Sequence, residues 1–135
     1  MKIKSILIAN RGEIAIRIIR TARKMGITSF VIKTAKEPNA WYLDEADEVI
    51  DFTECFDDTP EFLDIERIIY HAKLYHVDAI HPGYGFLAEN PGFARRCEEE
   101  KVIFIGPSHE AIYRMGHKTI AKELARKQDR KSTRL

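Results

Sequence analysis

The chain has 135 residues and a formal net charge of +1, with 44% hydrophobic and 32% charged residues. This length suits one domain with a real core and is too short for two. The balanced charge argues against nucleic acid or an anionic membrane as a partner. The apolar runs fall far short of the roughly 20 residues that a membrane span needs, so we expect a cytoplasmic protein.

Cysteine and histidine spacing indicates neither disulfides nor a metal site. Cys55 and Cys97 lie far apart without a CxxC pattern, which favours two reduced thiols. His71 and His76 are five residues apart, so they do not share a helix face as ligands at i and i+4 would. We therefore predict no metal ligands in this chain.

Short apolar runs alternate with longer amphipathic segments along the chain. The runs predict five strands: Ser5–Ala9, Ser29–Ile32, Glu48–Phe52, Asp78–Ile80 and Val102–Ile105. The third run alternates apolar and polar residues, which favours a more exposed position in the sheet. The other runs are apolar on both faces, as a parallel sheet covered by helices requires.

Helical periodicity fills the intervals between the strands. The predicted helices are Glu13–Met25, Trp41–Ala46, Ile65–Tyr75, Pro91–Lys101 and one that Ser108 caps and Gly116 ends. The buried stripe of the first should contain Ile14, Ile18, Ala22 and Met25, with Ala15 and Ile19 beside it. The buried stripe of the third should end at Tyr75. This alternation predicts an α/β fold: a Rossmann-like, parallel five-stranded sheet with helices on both faces.

The turn after the first strand reads Asn10-Arg11-Gly12-Glu13. Asn10 is placed to cap the helix, and Glu13 three residues later can complete a capping box. The helix N-terminus is also a candidate anion site. One glycine stands where a dinucleotide-binding fingerprint has three, so capping is the favoured interpretation.

A glycine-rich loop follows the fourth strand, where Gly83 and Gly85 flank Tyr84 after His81 and Pro82. Glycines permit close approach to a ligand. If the first and fourth strands are neighbours, the strand order reverses between them, and ligands favour that crevice. The alternative is a tight turn whose Tyr84 and Phe86 pack as core. The residues alone leave both interpretations open.

A basic stripe runs along the first helix. Arg17, Arg20 and Lys24 lie opposite its predicted buried face. Such a stripe is usually a solvated surface, and a protein contact is the alternative.

Three motifs together resemble the biotin carboxylase family. Ile8 to Ala15 reads IANRGEIA, with Arg17 following; Ala79 to Asn90 reads AIHPGYGFLAEN; and Phe104 to Pro107 reads FIGP. The resemblance extends over about residues 3–127, and the first two motifs are long enough to be highly specific.

The resemblance implies a Rossmann-like N-terminal domain preceding an ATP-grasp domain. The family uses ATP, Mg²⁺ and bicarbonate to carboxylate biotin on a biotin carboxyl carrier protein, and a carboxyltransferase uses the product. The resemblance also implies that Tyr84, with Gly83, lies beside the biotin ring. It further implies that Arg17 and Arg20 lie near a homodimer contact. The family's GDK motif assigns Lys118 to ATP, although this chain has His117 in place of the aspartate.

The expected organisation is an N-terminal domain over residues 1–117 and the start of a helix toward the ATP-grasp domain over 118–127. Residues 128–135 match nothing in the family and are expected to be a disordered tail. The family's metal-binding carboxylates and catalytic arginine would lie after this sequence, so it would contain no catalytic residue and be inactive alone. A free-standing nucleotide-binding module or a protein-interaction module is the alternative.

Overall fold

The computed structural model describes residues 2–116, together with 122, 125 and 126. The strands are β1 (Ser5–Ile8), β2 (Thr28–Lys33), β3 (Glu48–Asp51), β4 (Ala79–His81) and β5 (Ile103–Phe104). The helices are α1 (Gly12–Lys24), α2 (Trp41–Glu45), α3 (Ile65–Leu74) and α4 (Pro91–Glu99), with a 3₁₀ turn at Glu61–Leu63. A further helix is described over residues 109–116.

All five strands are parallel, in the order β3-β2-β1-β4-β5. The predicted fold class is therefore confirmed. The edge position of β3 accounts for its alternating sequence, since only part of its surface is covered. The chain leaves β1 in one direction to form β2 and β3, and later returns to its other side to form β4 and β5.

Two apolar layers cover the sheet, one on each face. Side chains of β1 alternate between them: Ile6 and Ile8 join the layer under α1 and α2, whereas Leu7 and Ala9 join the layer under α3 and α4. All four are 4% exposed or less. Because β1 is buried on both faces, its position at the centre of the sheet is strongly specified.

The structure corrects two helix ends. The buried residues of α1 are Ala15, Ile16, Ile19 and Ala22, whereas Met25, its C-cap, is 66% exposed. The predicted stripe is therefore wrong at Met25, and its Ile14 and Ile18 are only partly buried. The apolar surface of the helix is wider than its contact with the sheet, so the side chains at its margin stay partly or fully exposed. Tyr75 likewise caps α3 and is 47% exposed.

Two serine–aspartate pairs hold the strands together at the amino-terminal edge. The Asp78 carboxylate accepts hydrogen bonds from the backbone N–H groups of Lys4 and Ser5, at 2.8 and 3.2 Å, while the Asp78 N–H donates to the Ser5 hydroxyl. Asp47 and Ser29 repeat this reciprocal arrangement. Each pair satisfies backbone donors that the sheet ladder leaves free.

Replacing Asp78 with alanine should lower the free energy of unfolding by about 1–3 kcal/mol, since two backbone donors lose their acceptor. Asp78→Asn keeps an acceptor oxygen and should recover most of that loss. Urea unfolding of both variants tests this. Equal losses in the two variants would mean that the negative charge, rather than the acceptor, is what matters.

Candidate functional site

The loops that follow β1 and β4 lie side by side at the carboxyl edge of the sheet. Ile8 is paired with His81, and the Ala9 N–H donates to the His81 carbonyl at 2.9 Å. Asn10 follows on one side, and the loop from Pro82 follows on the other. The strand order reverses at this point, which is where open α/β sheets bind ligands.

Asn10 connects these two loops. Its side chain is buried, with the residue only 1% exposed. The amide Nδ2 donates to the carbonyls of Pro82 and Tyr84, both at 2.8 Å, and Oδ1 accepts from the Arg11 N–H at 2.8 Å. The predicted cap is therefore wrong: Arg11 is the N-cap of α1 and makes no capping bond with its side chain.

Gly83 packs directly against this amide. Its φ is +68°, and a Cβ there would lie 2.6 Å from Asn10 Nδ2 and 2.9 Å from Ile14 Cγ2. Gly85 has a φ of +77°, but a Cβ would meet nothing within 4 Å. Both positions use backbone angles that glycine adopts without penalty, and only Gly83 is also confined by its neighbours.

Tyr84 projects outward from this anchored loop and is 78% exposed. Phe86 is 44% exposed, with its ring centroid 5.2 Å from that of Phe62, and Leu87 is buried. The loop is therefore anchored on the side of Phe86 and Leu87 and open at Tyr84. The interpretation of Tyr84 as a core residue is wrong, because most of its side chain is open to solvent and it belongs to neither apolar layer.

His81, at the end of β4, accepts a hydrogen bond from the same loop. Its Nδ1 lies 3.0 Å from the Gly83 nitrogen and accepts the Gly83 N–H, which requires Nδ1 to be unprotonated. Burial lowers the pKa of His81 below its ordinary value of 6.5. The folded chain therefore favours the neutral imidazole that this hydrogen bond needs.

The His81 contribution to stability should depend on pH. Because its pKa is lower folded than unfolded, the contribution is present above pH 6.5 and declines as pH falls from 6.5 through the folded pKa. In His81→Asn, Oδ1 can accept the Gly83 N–H without titrating. The slope of unfolding free energy between about pH 7 and pH 5 should be smaller in this variant. Parallel slopes would contradict this.

Comparison with known proteins assigns this chain to a family. The family model described as "Biotin carboxylase, N-terminal domain" matches residues 2–112. The chain belongs to this family. The matched residues include both loops that Asn10 joins, after β1 and after β4.

Relatives of this biotin carboxylase domain are several times longer. Biotin carboxylase 1 of Bacillus subtilis is 47% identical over 124 residues, which is 90% of this chain and 27% of that protein. Pyruvate carboxylase of the same organism is 46% identical over 93% of this chain and 11% of its own length. The chain thus spans about a quarter or less of these relatives.

A solved structure shows the same fold. The biotin carboxylase domain dimer of Hydrogenobacter thermophilus 2-oxoglutarate carboxylase, in complex with MgADP, ADP and bicarbonate, matches with a TM-score of 0.76 at 43% identity. The match covers 84% of this chain and 24% of that one.

The arginines of the basic stripe lie on the exposed side of α1. Arg20 makes a two-point ion pair with Glu45 of α2, at 3.0 and 3.2 Å, and the Arg20 guanidinium lowers the pKa of that carboxyl. Arg17 borders an apolar groove of about 500 Å³ beside α1, together with Ile18 and Met25. The two arginines therefore have different surroundings within the biotin carboxylase domain.

Some of the residues predicted from the sequence cannot be placed in the structure. Lys118 and the residues 128–135 lie outside the described residues. Over residues 2–116, with 122, 125 and 126, no group of three or more His, Cys, Asp or Glu side chains is arranged to hold a metal ion. Within the same residues, no helix is long and apolar enough to cross a membrane.

Both cysteines have free thiols. Cys97 is buried in the layer under α4, and burial raises its pKa to about 12. A thiol held protonated in this way is a core residue and a poor nucleophile. Cys55 is exposed on the loop after β3.

Proposed function

We propose that this chain supplies the N-terminal lobe of an ATP-dependent biotin carboxylase. The whole enzyme would use ATP, Mg²⁺ and bicarbonate to carboxylate biotin on a biotin carboxyl carrier protein, for use by a carboxyltransferase. One observation carries the proposal: Tyr84 is exposed at the point where the strand order reverses. Asn10, in the turn after β1, holds the backbone of Tyr84 in place through a hydrogen bond to its carbonyl. The family membership of residues 2–112 supports it.

In this proposal the described residues form one wall of a cleft. Tyr84 offers an aromatic face to the biotin ring, and Gly83 lets the backbone approach it closely. Lys118 would place a positive charge against the ATP phosphates. The facing wall would be an ATP-grasp domain.

We further propose that the 135-residue chain has no carboxylase activity alone. Phosphoryl transfer depends on metal ions and cationic groups that neutralise charge in the transition state. The described residues contain no cluster of metal-ligating side chains. The catalytic groups would therefore come from the remainder of the enzyme.

Assembly and location belong to the same proposal. Arg17 and Arg20 would lie at or near a homodimer contact, supported by their exposure on one side of α1. The free thiols of Cys55 and Cys97 support a reducing compartment, the cytoplasm.

A chimera tests the function directly. Residues 2–112 of this chain would replace the matching N-terminal part of Bacillus subtilis biotin carboxylase 1, and biotin- and bicarbonate-dependent ATP hydrolysis would be measured. We expect an active chimera and no activity from the 135-residue chain. A folded but inactive chimera would overturn the assignment of the lobe. Activity of the chain alone would overturn its proposed dependence on other domains.

Calorimetry with ATP, NAD and biotin distinguishes the alternative of a free-standing module. The proposal expects no micromolar binding of any of the three by the 135-residue chain, because it would provide only one wall of the cleft. Micromolar binding would favour an independent nucleotide- or biotin-binding module.

A further inference from the structure

We infer that Asn10 is a positioning residue for Tyr84: its buried amide fixes the loop that presents the Tyr84 ring. The inference rests on the proposed function only in assigning biotin to that ring. The placement of the loop by Asn10 is a property of this chain alone. It gives the asparagine of the first motif a role other than capping α1.

The amide holds the loop on both sides of Gly83. One Nδ2 proton is donated to the carbonyl of Pro82 and the other to the carbonyl of Tyr84. The backbone between these carbonyls contains Gly83, and Gly85 follows immediately, both with positive φ. Glycines lose the most backbone freedom on folding, so this is where two fixed carbonyls restrict the loop most.

The orientation of the amide follows from its three partners. Oδ1 accepts the Arg11 N–H, while both Nδ2 protons go to carbonyl oxygens. A reversed amide would set Oδ1 against two carbonyl oxygens and Nδ2 against an N–H. Asparagine supplies two donors and an acceptor on one short side chain. Aspartate has the same shape but no donor when ionised, and serine has one donor.

Two further contacts of Gly83 complete the arrangement. Ile14 of α1 lies against it, and His81 accepts its N–H. Gly83 is thus enclosed by residues from the turn after β1, from α1 and from β4. Tyr84, by contrast, is 78% exposed, so its own side chain contributes little to holding the loop in place.

The first test is amide hydrogen exchange of the 135-residue chain, comparing Asn10→Asp with Asn90→Asp. Asn90 is the N-cap of α4 and only accepts, from the Phe93 N–H at 3.0 Å, so aspartate preserves its role. At Asn10 the same change removes both donors. We expect the Gly83 amide to exchange at least about tenfold faster in Asn10→Asp, relative to amides of β1 and β2, because the two hydrogen bonds to the carbonyls on either side of it are lost.

Two results of the exchange experiment would overturn the inference that Asn10 positions the loop. Unchanged Gly83 exchange, or a uniform increase across the sheet, would overturn the inference, since a merely structural residue would act on the whole domain. If Asn10→Asp does not fold, Asn10→Ser retains one donor and should show the same local effect at smaller size. In the unchanged protein, the Asn10 side-chain amide protons should exchange far more slowly than those of exposed Asn39.

The second test uses the active chimera. Asn10→Ser should raise the KM for biotin several-fold and leave the KM for ATP unchanged, because only the presentation of Tyr84 changes. Equal changes in both constants would overturn a positioning role. If the unsubstituted chimera is inactive, the proposed function fails, while the exchange result still decides whether Asn10 positions the loop.

Discussion

Gly83→Ala should be among the most destabilising single substitutions in this chain, lowering the free energy of unfolding by about 3 kcal/mol or more. Two effects add. An L-residue at a φ of +68° is strained, and the new methyl group would lie 2.6 Å from Asn10 Nδ2 and 2.9 Å from Ile14 Cγ2. Relieving that overlap requires moving the Asn10 amide away from its carbonyl acceptors. Urea unfolding, followed by far-UV circular dichroism, measures the loss.

Gly85→Ala is the matched control. Its φ of +77° carries similar strain, but a Cβ there meets nothing within 4 Å. Its loss should therefore be limited to about 1–2 kcal/mol. Equal losses at the two positions would show that backbone strain alone sets the requirement for glycine, and that the contact between Gly83 and Asn10 contributes nothing.

The sheet could be predicted from the sequence because every strand except β3 is a short run that is apolar on both faces. All five strands were predicted, with no end shifted by more than one residue, and the exposed position of β3 followed from its alternation. The side-chain caps of the later helices were also predictable. Asn90 and Ser108 accept from the N–H groups of Phe93 and Ala111, three residues along, and such local pairs are visible in a sequence.

The role of Asn10 could not be read in the same way. Its sequence neighbourhood fits a cap, and its acceptors, at Pro82 and Tyr84, lie 72 and 74 residues away. Only the pairing of β1 with β4 brings them together. The two glycines around Tyr84 were a visible signal of an unusual loop, but whether Tyr84 packs inside or projects outside depends on that same long-range contact.

The apolar side chains of α1 that remain exposed show a second feature that the sequence could not predict. Periodicity identifies apolar positions on a helix, but it does not say how wide a stripe the sheet covers. Ala15 and Ile19 are covered, whereas Met25 remains exposed beside the groove that Arg17 borders. The position of the sheet edge, rather than the helix sequence, decides which row is buried.

Tyr84→Ala should separate function from stability. Because Tyr84 is 78% exposed, the free energy of unfolding of the 135-residue chain should change by no more than about 0.5 kcal/mol. In the chimera, kcat/KM for biotin should fall roughly 10- to 100-fold, the effect of losing a large apolar side chain buried against a ligand. Tyr84→Phe keeps the ring and should lose much less, which would assign the effect to the aromatic face rather than the hydroxyl.

Tyr70→Ala provides the control for this prediction. Tyr70 lies on α3 and is 62% exposed, so its removal changes the surface to a similar extent without altering the loop after β4. It should leave both stability and biotin use nearly unchanged. If Tyr84→Ala and Tyr70→Ala behave alike in the chimera, Tyr84 does not contact biotin. If Tyr84→Ala instead destabilises the chain strongly, the loop depends on the ring for its own structure, and its exposure does not mark a ligand surface.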